Sequence, residues 1–364
     1  MRVIERRRLA LLSAALLLLA LSVGLISSHG LKYRADYADI QLDARARMVR
    51  CLEAVKGYRA ELGLPLSAED IWQSGLIGDE YTEITTTIGV IEAKRTASDP
   101  DMAALLVRMF VQAGLKPGDR VGAGFSGSFP GLNLAVICAA DAMKLDIRYI
   151  SSVGSSTFGA NLPQLTFPDM AHRLHSDGLI LADSAMVTPG GDYDIGKGVF
   201  DETAFDPILA RVESWGIPVL REPDFEKNLA VRRALYAQNG IDCFVAAGGN
   251  ITSMGLGDHA LSLGQGLLHH SIAVDRLNDR SGLVEWYLAQ GLPAINLLNI
   301  RKIAADYALP FDPVIRPAAG QSPVYFTVQY SRGWIAAAFL AALGLLLWIW
   351  ALCKKPNGRS IVDC

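Results

Sequence analysis

The sequence predicts an α/β fold, a mostly parallel Rossmann-like sheet in an extracytoplasmic domain, with one transmembrane helix at each end. Three observations predict it. Leu9 to Ser27 and Trp334 to Leu352 are charge-free apolar runs of 19 residues each, close to the ~20 that cross a bilayer's hydrocarbon core. Between them, residues 30–331 supply 302 positions, enough to bury a full core. From Asp101 onward helical periods alternate with short apolar runs, the signature of β-α units.

Arg6, Arg7 and Arg8 precede the first run, and Lys354 and Lys355 follow the second. Basic flanks are retained in the cytoplasm. The expected order is therefore a cytoplasmic tail (1–8), a transmembrane helix (9–27), an extracytoplasmic domain (30–331), a second transmembrane helix (334–352) and a cytoplasmic tail (353–364), crossing the inner plasma membrane twice. A cleaved signal peptide competes for the first run, but its apolar core usually runs only about 7 to 15 residues and ends at an A-x-A site. Ser22-Val23-Gly24 and Ile26-Ser27-Ser28 match that site poorly. Trp334, Trp348 and Trp350 near the ends of the second run suit a membrane interface.

The outer domain opens with a helical elaboration over 35–100. Tyr37, Ile40, Met48, Leu52 and Val55 recur at helical spacing, which predicts a helix from Ala35 to Leu62. Ser67 with Asp70 three residues on reads as a helix start, and the β-prone stretch Thr82 to Val90 as an edge strand or loop. Beyond it the pattern predicts a helix over Ala103–Ala113, a strand over Arg120–Phe125, a helix over Pro130–Met143 with proline in its first turn, and a strand over Asp146–Ile150. Phe167–His175, Phe205–Trp215, Phe225–Asn239 and Ser281–Gln290 read as helices. Leu179–Ala182, Ile217–Leu220, Phe244–Ala247 and Pro293–Leu298 read as strands.

Residues 30–331 carry 26 Lys and Arg against 35 Asp and Glu, a net charge of −9. That disfavours generic capture of nucleic acid or any other polyanion. Cys51, Cys138 and Cys243 are an odd number in a compartment that permits disulfides, and their apolar settings predict buried free thiols. No Cys-x-x-Cys or His-x-x-x-His spacing occurs, so no cysteine-built zinc site is expected, and no cofactor motif is complete.

Two glycine-rich turns are the candidate site. The first, Gly122 to Asn133 (GAGFSGSFPGLN), runs from a strand through Gly124, Ser126, Gly127 and Ser128 into a helix start. Free N–H groups there suit an anion. The segment lacks the Lys-Ser/Thr of a P-loop, and it misses G-x-S-x-G by one residue. The second, Ala247 to His259, offers Gly248, Gly249, Asn250, Thr252, Ser253 and His259 after another strand. Both exits should reach the same edge of a parallel sheet, where doubly wound folds bind ligands. Ligand-binding residues are thus expected at Gly124, Gly127, Gly248, Gly249, Asn250, Thr252 and Ser253. A catalytic alternative uses Ser126 or Ser128 as nucleophile, His259 as base and Asp183 or Asp258 to orient it. Plain readings stand beside these: Ser128 as a helix cap, Asp258 and His259 as caps of a following helix, and glycines that only turn the chain. Asp183, Asp192 and Asp194 crowd one loop without EF-hand spacing, His269-His270 face different ways, and His172 with His175 share a helix face. The carboxylates are expected to be solvated, the adjacent histidines not to share a metal, and His172 with His175 to take a surface or capping role.

An anchor, an outer α/β domain carrying GFSGSFPGLN and AAGGNITSMG, and a second anchor together resemble the poly-γ-glutamate system protein family. The resemblance implies a bacterial envelope and a membrane-anchored accessory component of poly-γ-glutamate synthesis and export. It also implies synthase and export membrane subunits as partners, with the anionic polymer itself as a further one. It assigns no residue roles. An extracytoplasmic serine-dependent hydrolase or transferase acting on the polymer is the alternative function.

Overall fold

The structure is a computed structural model that describes residues 2–28, 30–257, 262–269 and 276–353. It divides into two units, residues 1–35 with 326–364, and residues 36–325.

The chain begins with helix α1 (Arg2–Ser28) and strand β1 (Leu31–Arg34) of the terminal unit. The larger unit then starts with α2 (Ala38–Glu61), α3 (Ile91–Ala97) and α4 (Asp101–Gln112). Between α2 and α3, Asp70 starts no helix, because its carboxylate accepts from Ser74 N, Ser74 Oγ and Gly75 N and so closes a turn instead. Thr82–Val90 is loop, held along the segment after β3 by one bridge from Thr85 to Ser155 and by backbone bonds such as Thr86 N to Ser155 O and Thr157 N to Thr87 O.

Alternation follows, with every element but β4 at a place the sequence predicts: β2 (Arg120–Phe125), α5 (Pro130–Met143), β3 (Asp146–Ser152), α6 (Phe167–Ser176), β4 (Met186–Thr188), α7 (Phe205–Ser214), α8 (Phe225–Ala237) and β5 (Cys243–Ala247). After β5 come the single turn α9 (Ile251–Met254), β6 (Gly266–Leu268), α10 (Leu283–Ala289), β7 (Ala294–Leu297) and α11 (Ile300–Asp306). Two expected strands are absent. Leu179–Ala182 is irregular with Leu181 largely exposed, and Ile217–Leu220 makes only one bridge, Val219 to Val187, which leaves the edge of the sheet to β4.

Six strands form one sheet in the order β4-β3-β2-β5-β7-β6. All neighbours are parallel except β6, which pairs antiparallel with β7. The chain winds outward from β2 to β4 on one side, then restarts with β5 on the other side of β2. That reversal makes the β2–β5 boundary the topological switch point, where crevices open outside the strands' carboxyl ends.

The sheet's centre is dry. All of Val121 to Phe125 and Cys243 to Ala247 is buried, as strands covered on both faces must be. Helix α5 buries 13 of its 14 residues because it is packed with α2 and α4 over the sheet, and a Leu→Ala change in such a place costs about 2–5 kcal/mol. The three expected thiols are buried and free, with Cys51 Sγ 3.9 Å from Cys138 Sγ between α2 and α5. Gln41, fully buried, donates to the carbonyls of Ala104 and Val324 at 2.9 Å each and so ties α2 to α4.

The chain returns to the terminal unit with β8 (Phe326–Gln329) and α12 (Arg332–Cys353). Strand β8 pairs antiparallel with β1, Leu31 opposite Gln329 and Arg34 opposite Phe326. Measured over the described residues, no helix is long and apolar enough to cross a membrane. The side chains of Ala10, Leu11, Leu25 and Ile349, inside the two terminal helices, fall outside that description.

Candidate functional site

Every parallel strand ends at the same place. The loops that leave β2, β3, β4, β5 and β7 all line one cleft of about 1,090 Å³, through Ser126 and Ser128, Gly154 and Ser156, Gly190 to Asp192 and Asp194, Gly249 and Asn250, and Leu298 and Asn299. The loop Thr86–Val90, helix α3 and the start of α11 close its other sides. Because parallel strands point their carboxyl ends one way, five separate exits meet without any long-range coincidence.

The two glycine turns touch across the switch point. Ser126 N donates to Ala247 O at 3.0 Å, and a methyl added at Gly248 would come within 2.8 Å of Ser126 Cβ. Gly248 has φ +85°, a conformation that side-chain-bearing residues rarely adopt. Asn250 caps α9 by accepting from Thr252 N at 2.9 Å.

The expected residues divide into two groups. Ser126, Ser128, Gly249 and Asn250 face the cleft. Gly124, Gly127, Gly248, Thr252 and Ser253 stand behind its wall, where they set how closely the loops pack. Gly124 faces the Ser253 hydroxyl, 2.5 Å from where a Cβ would sit, and Gly127 faces the carbonyls of Val153 and Gly154 at 2.8 Å. Gly282, whose place before α10 suggests an ordinary helix start, is no more tolerant. A Cβ there would lie 2.4 Å from Gly255 N and 2.5 Å from Ser253 O.

His259 and Asp258 lie outside the described residues, as does His270. Asp183 is taken by His172, whose Nδ1 is 2.7 Å from its Oδ2, while the His172 ring stacks on Trp215 with centroids 4.3 Å apart. Asp194 is buried against Arg232 and accepts from Thr188 Oγ1 at 2.8 Å. Among the described residues no group of three or more His, Cys, Asp or Glu could hold a metal ion.

One cleft residue is not visible in either motif. Lys94, on α3, is 2 % exposed, and its Nζ donates to Ser156 Oγ at 2.6 Å and to the Ser128 carbonyl. The same Nζ lies 3.8 Å from the centre of the Phe129 ring. Burial alone pushes its amine down to about 7, since an ammonium loses hydration that no carboxylate replaces. Ser156 N in turn donates to Ser128 Oγ at 2.9 Å. The first glycine turn therefore supplies Ser128 and Phe129 as a brace around a lysine and a serine that come from elsewhere. A sequence signal existed: Val153-Gly-Ser-Ser-Thr157 follows β3 as the other glycine turns follow β2 and β5.

Charged side chains of both signs line the cleft, and Asp194 and Lys302 among them are paired. Lys94, Arg301 and Lys302 line it together with Asp192 and Asp194, and Arg232 neutralises Asp194. Lys302 also pairs with Asp306 at 2.8 Å, and the Arg301 guanidinium lies 4.2 Å from the Phe311 ring centre.

No family model matches the chain, and no curated protein matches it.

Proposed function

We propose that this chain is a membrane-anchored accessory component of a bacterial poly-γ-glutamate synthesis and export system. In this reading its outer α/β domain binds a carboxylate-bearing ligand in the strand-end cleft, beside synthase and export subunits in the inner membrane. The observation that carries the reading is the convergence of five strand exits on one cleft. The two segments that carry the family resemblance, GFSGSFPGLN and AAGGNITSMG, supply two of those exits. Hydroxyls and backbone line the cleft, with Arg301 and Lys302 at its rim. A ligand carboxylate finds donors there although the domain as a whole repels anions.

The anchoring rests on the full sequence. Helices α1 and α12 span 27 and 22 residues and each contains a 19-residue run without charge. Leu16, Leu17, Phe339, Leu340, Trp348 and Trp350 are all more than half exposed. A helix apolar all round and left uncovered suits lipid rather than water.

Deleting the gene in a polymer-producing bacterium should lower surface and secreted polyglutamate, and a plasmid copy should restore it. Unchanged polymer in both fractions would remove the pathway assignment. Titrating the detergent-purified full chain with oligo-γ-glutamate in a calorimeter tests the cleft. Binding is expected to weaken at least about fivefold in Arg301→Ala, in line with about 1 kcal/mol or more for a charge-assisted contact. Equal affinity in that variant would place the ligand elsewhere.

A further inference from the structure

We propose that Ser156 and Lys94 form a nucleophile and general-base pair that hydrolyses an amide or ester whose acyl group seats in the cleft. The inference rests on reading the cleft as the binding site, and it needs no particular polymer.

Geometry supplies the pair. Lys94 Nζ is 2.6 Å from Ser156 Oγ, inside the roughly 2.6–3.2 Å over which a base takes a proton directly. A neutral amine has two N–H donors and one lone pair. The Ser128 carbonyl, which can only accept, takes one N–H. As an ammonium Lys94 donates to Ser156 Oγ, and once neutral the same contact lets its lone pair accept the Ser156 proton. Ser156 is fixed by its own N–H bond to Ser128 Oγ, and it faces the cleft. Gly89 keeps the space clear, since a Cβ there would lie 2.9 Å from both Lys94 Cε and Ser156 Oγ.

No carboxylate among the described residues pairs with the lysine, and the Phe129 ring is the one group beside it that favours the charged form. On its own helix Arg95 pairs with Asp312 and Glu69. From α11, Lys302 pairs with Asp306 and Arg301 lies over Phe311. From the loop after β4, Asp194 is neutralised by Arg232 and Asp192 is exposed. The amine is thus a base near neutral pH, as a serine activator must be.

The steps balance as hydrolysis. Ser156 Oγ bonds to the carbonyl carbon while its proton moves to Lys94 Nζ. The carbon–nitrogen or carbon–oxygen bond breaks and the leaving group takes that proton, so an ester to Ser156 remains. Water then attacks the ester and gives a proton to Lys94, which returns it to Ser156 as the carboxylic acid departs. Arg301 and the hydroxyl lining favour a polar, carboxylate-bearing acyl group over a fatty one.

A fluorophosphonate probe on the detergent-purified full chain tests this, because it loses fluoride only to an activated serine. The expected result is one adduct, mapped to Ser156 by peptide mass spectrometry. Its rate should rise about tenfold between pH 6 and pH 8, following the deprotonation of an amine near 7. Lys94→Met should slow it at least about a hundredfold, the usual worth of a general base. No adduct, an adduct on another residue, or a folded Lys94→Met that reacts at the parent rate would each overturn the pair. Should that variant fail to fold, the site and pH profile in the parent decide alone. Calorimetry with oligo-γ-glutamate on the same preparation separates the two readings: binding without an adduct removes the pair and keeps the polymer reading, and an adduct without binding keeps the pair and removes polyglutamate as the ligand.

Discussion

Lys94 is costly to the fold, and that cost is measurable. Its amine is lowered from the ordinary 10.5 to about 7 in the folded chain, so between those values the unfolded chain binds the extra proton. Stability must then rise with pH across about 7 to 10.5, because deprotonation relieves a burial penalty that the unfolded chain never has. Urea unfolding of the parent at pH 7 and pH 9.5 should show this gain, and Lys94→Met should show a smaller one. Equal pH slopes in the two chains would mean that Lys94 is hydrated. A second residue-scale expectation concerns Gly89. Its missing side chain leaves only 2.9 Å to the Thr157 carbonyl as well as to the lysine and serine, so Gly89→Ala should cut fluorophosphonate labelling at least about tenfold. Labelling at the parent rate would show that the loop gives way freely.

Among the elements, α5 links the fold to the site. Its first turn leaves the switch point and its last ends on Lys144 in the left-handed region, φ 58° and ψ 41°. A side chain there costs about 1 kcal/mol relative to glycine. Lys144→Gly is therefore expected to raise stability by about 0.5–1 kcal/mol, read as a shift of the urea midpoint, and a loss would show that the lysine makes a compensating contact. This helix and strands β2, β3, β5 and β7 are legible in the sequence because glycine and proline punctuate them and their apolar runs are long enough to have a period. The edge is not. Strands β4 and β6 have three residues each, too few for any alternation, and the extended-looking segments around β4 lose to loops once it holds the last place in the sheet. The glycine turns are legible for the same reason as the long strands, and their meeting follows from parallel topology. Lys94 and Ser156 are 62 residues apart, and no local pattern couples a lysine on a seven-residue helix to a serine after a strand.

At the scale of the whole molecule, charge and apolarity are separated along the chain. The excess of acidic groups belongs to residues 30–331, and the charge-free runs lie outside them. An alkaline phosphatase joined within an exposed loop of that region, such as near Asp192, should be active if both ends are cytoplasmic. An inactive fusion would reverse the orientation.

The small ribbon of β1 and β8 has a consequence in the order of synthesis. Residues 31–34 are made long before their partners, 326–329. A two-stranded ribbon is marginal alone, and this one closes a loop of almost the whole chain. The clasp therefore cannot fasten until residues 326–329 have been made, and until then the nascent chain carries β1 as an open strand edge. A chain that stops before Phe326 leaves β1 without the only strand it pairs with among the described residues.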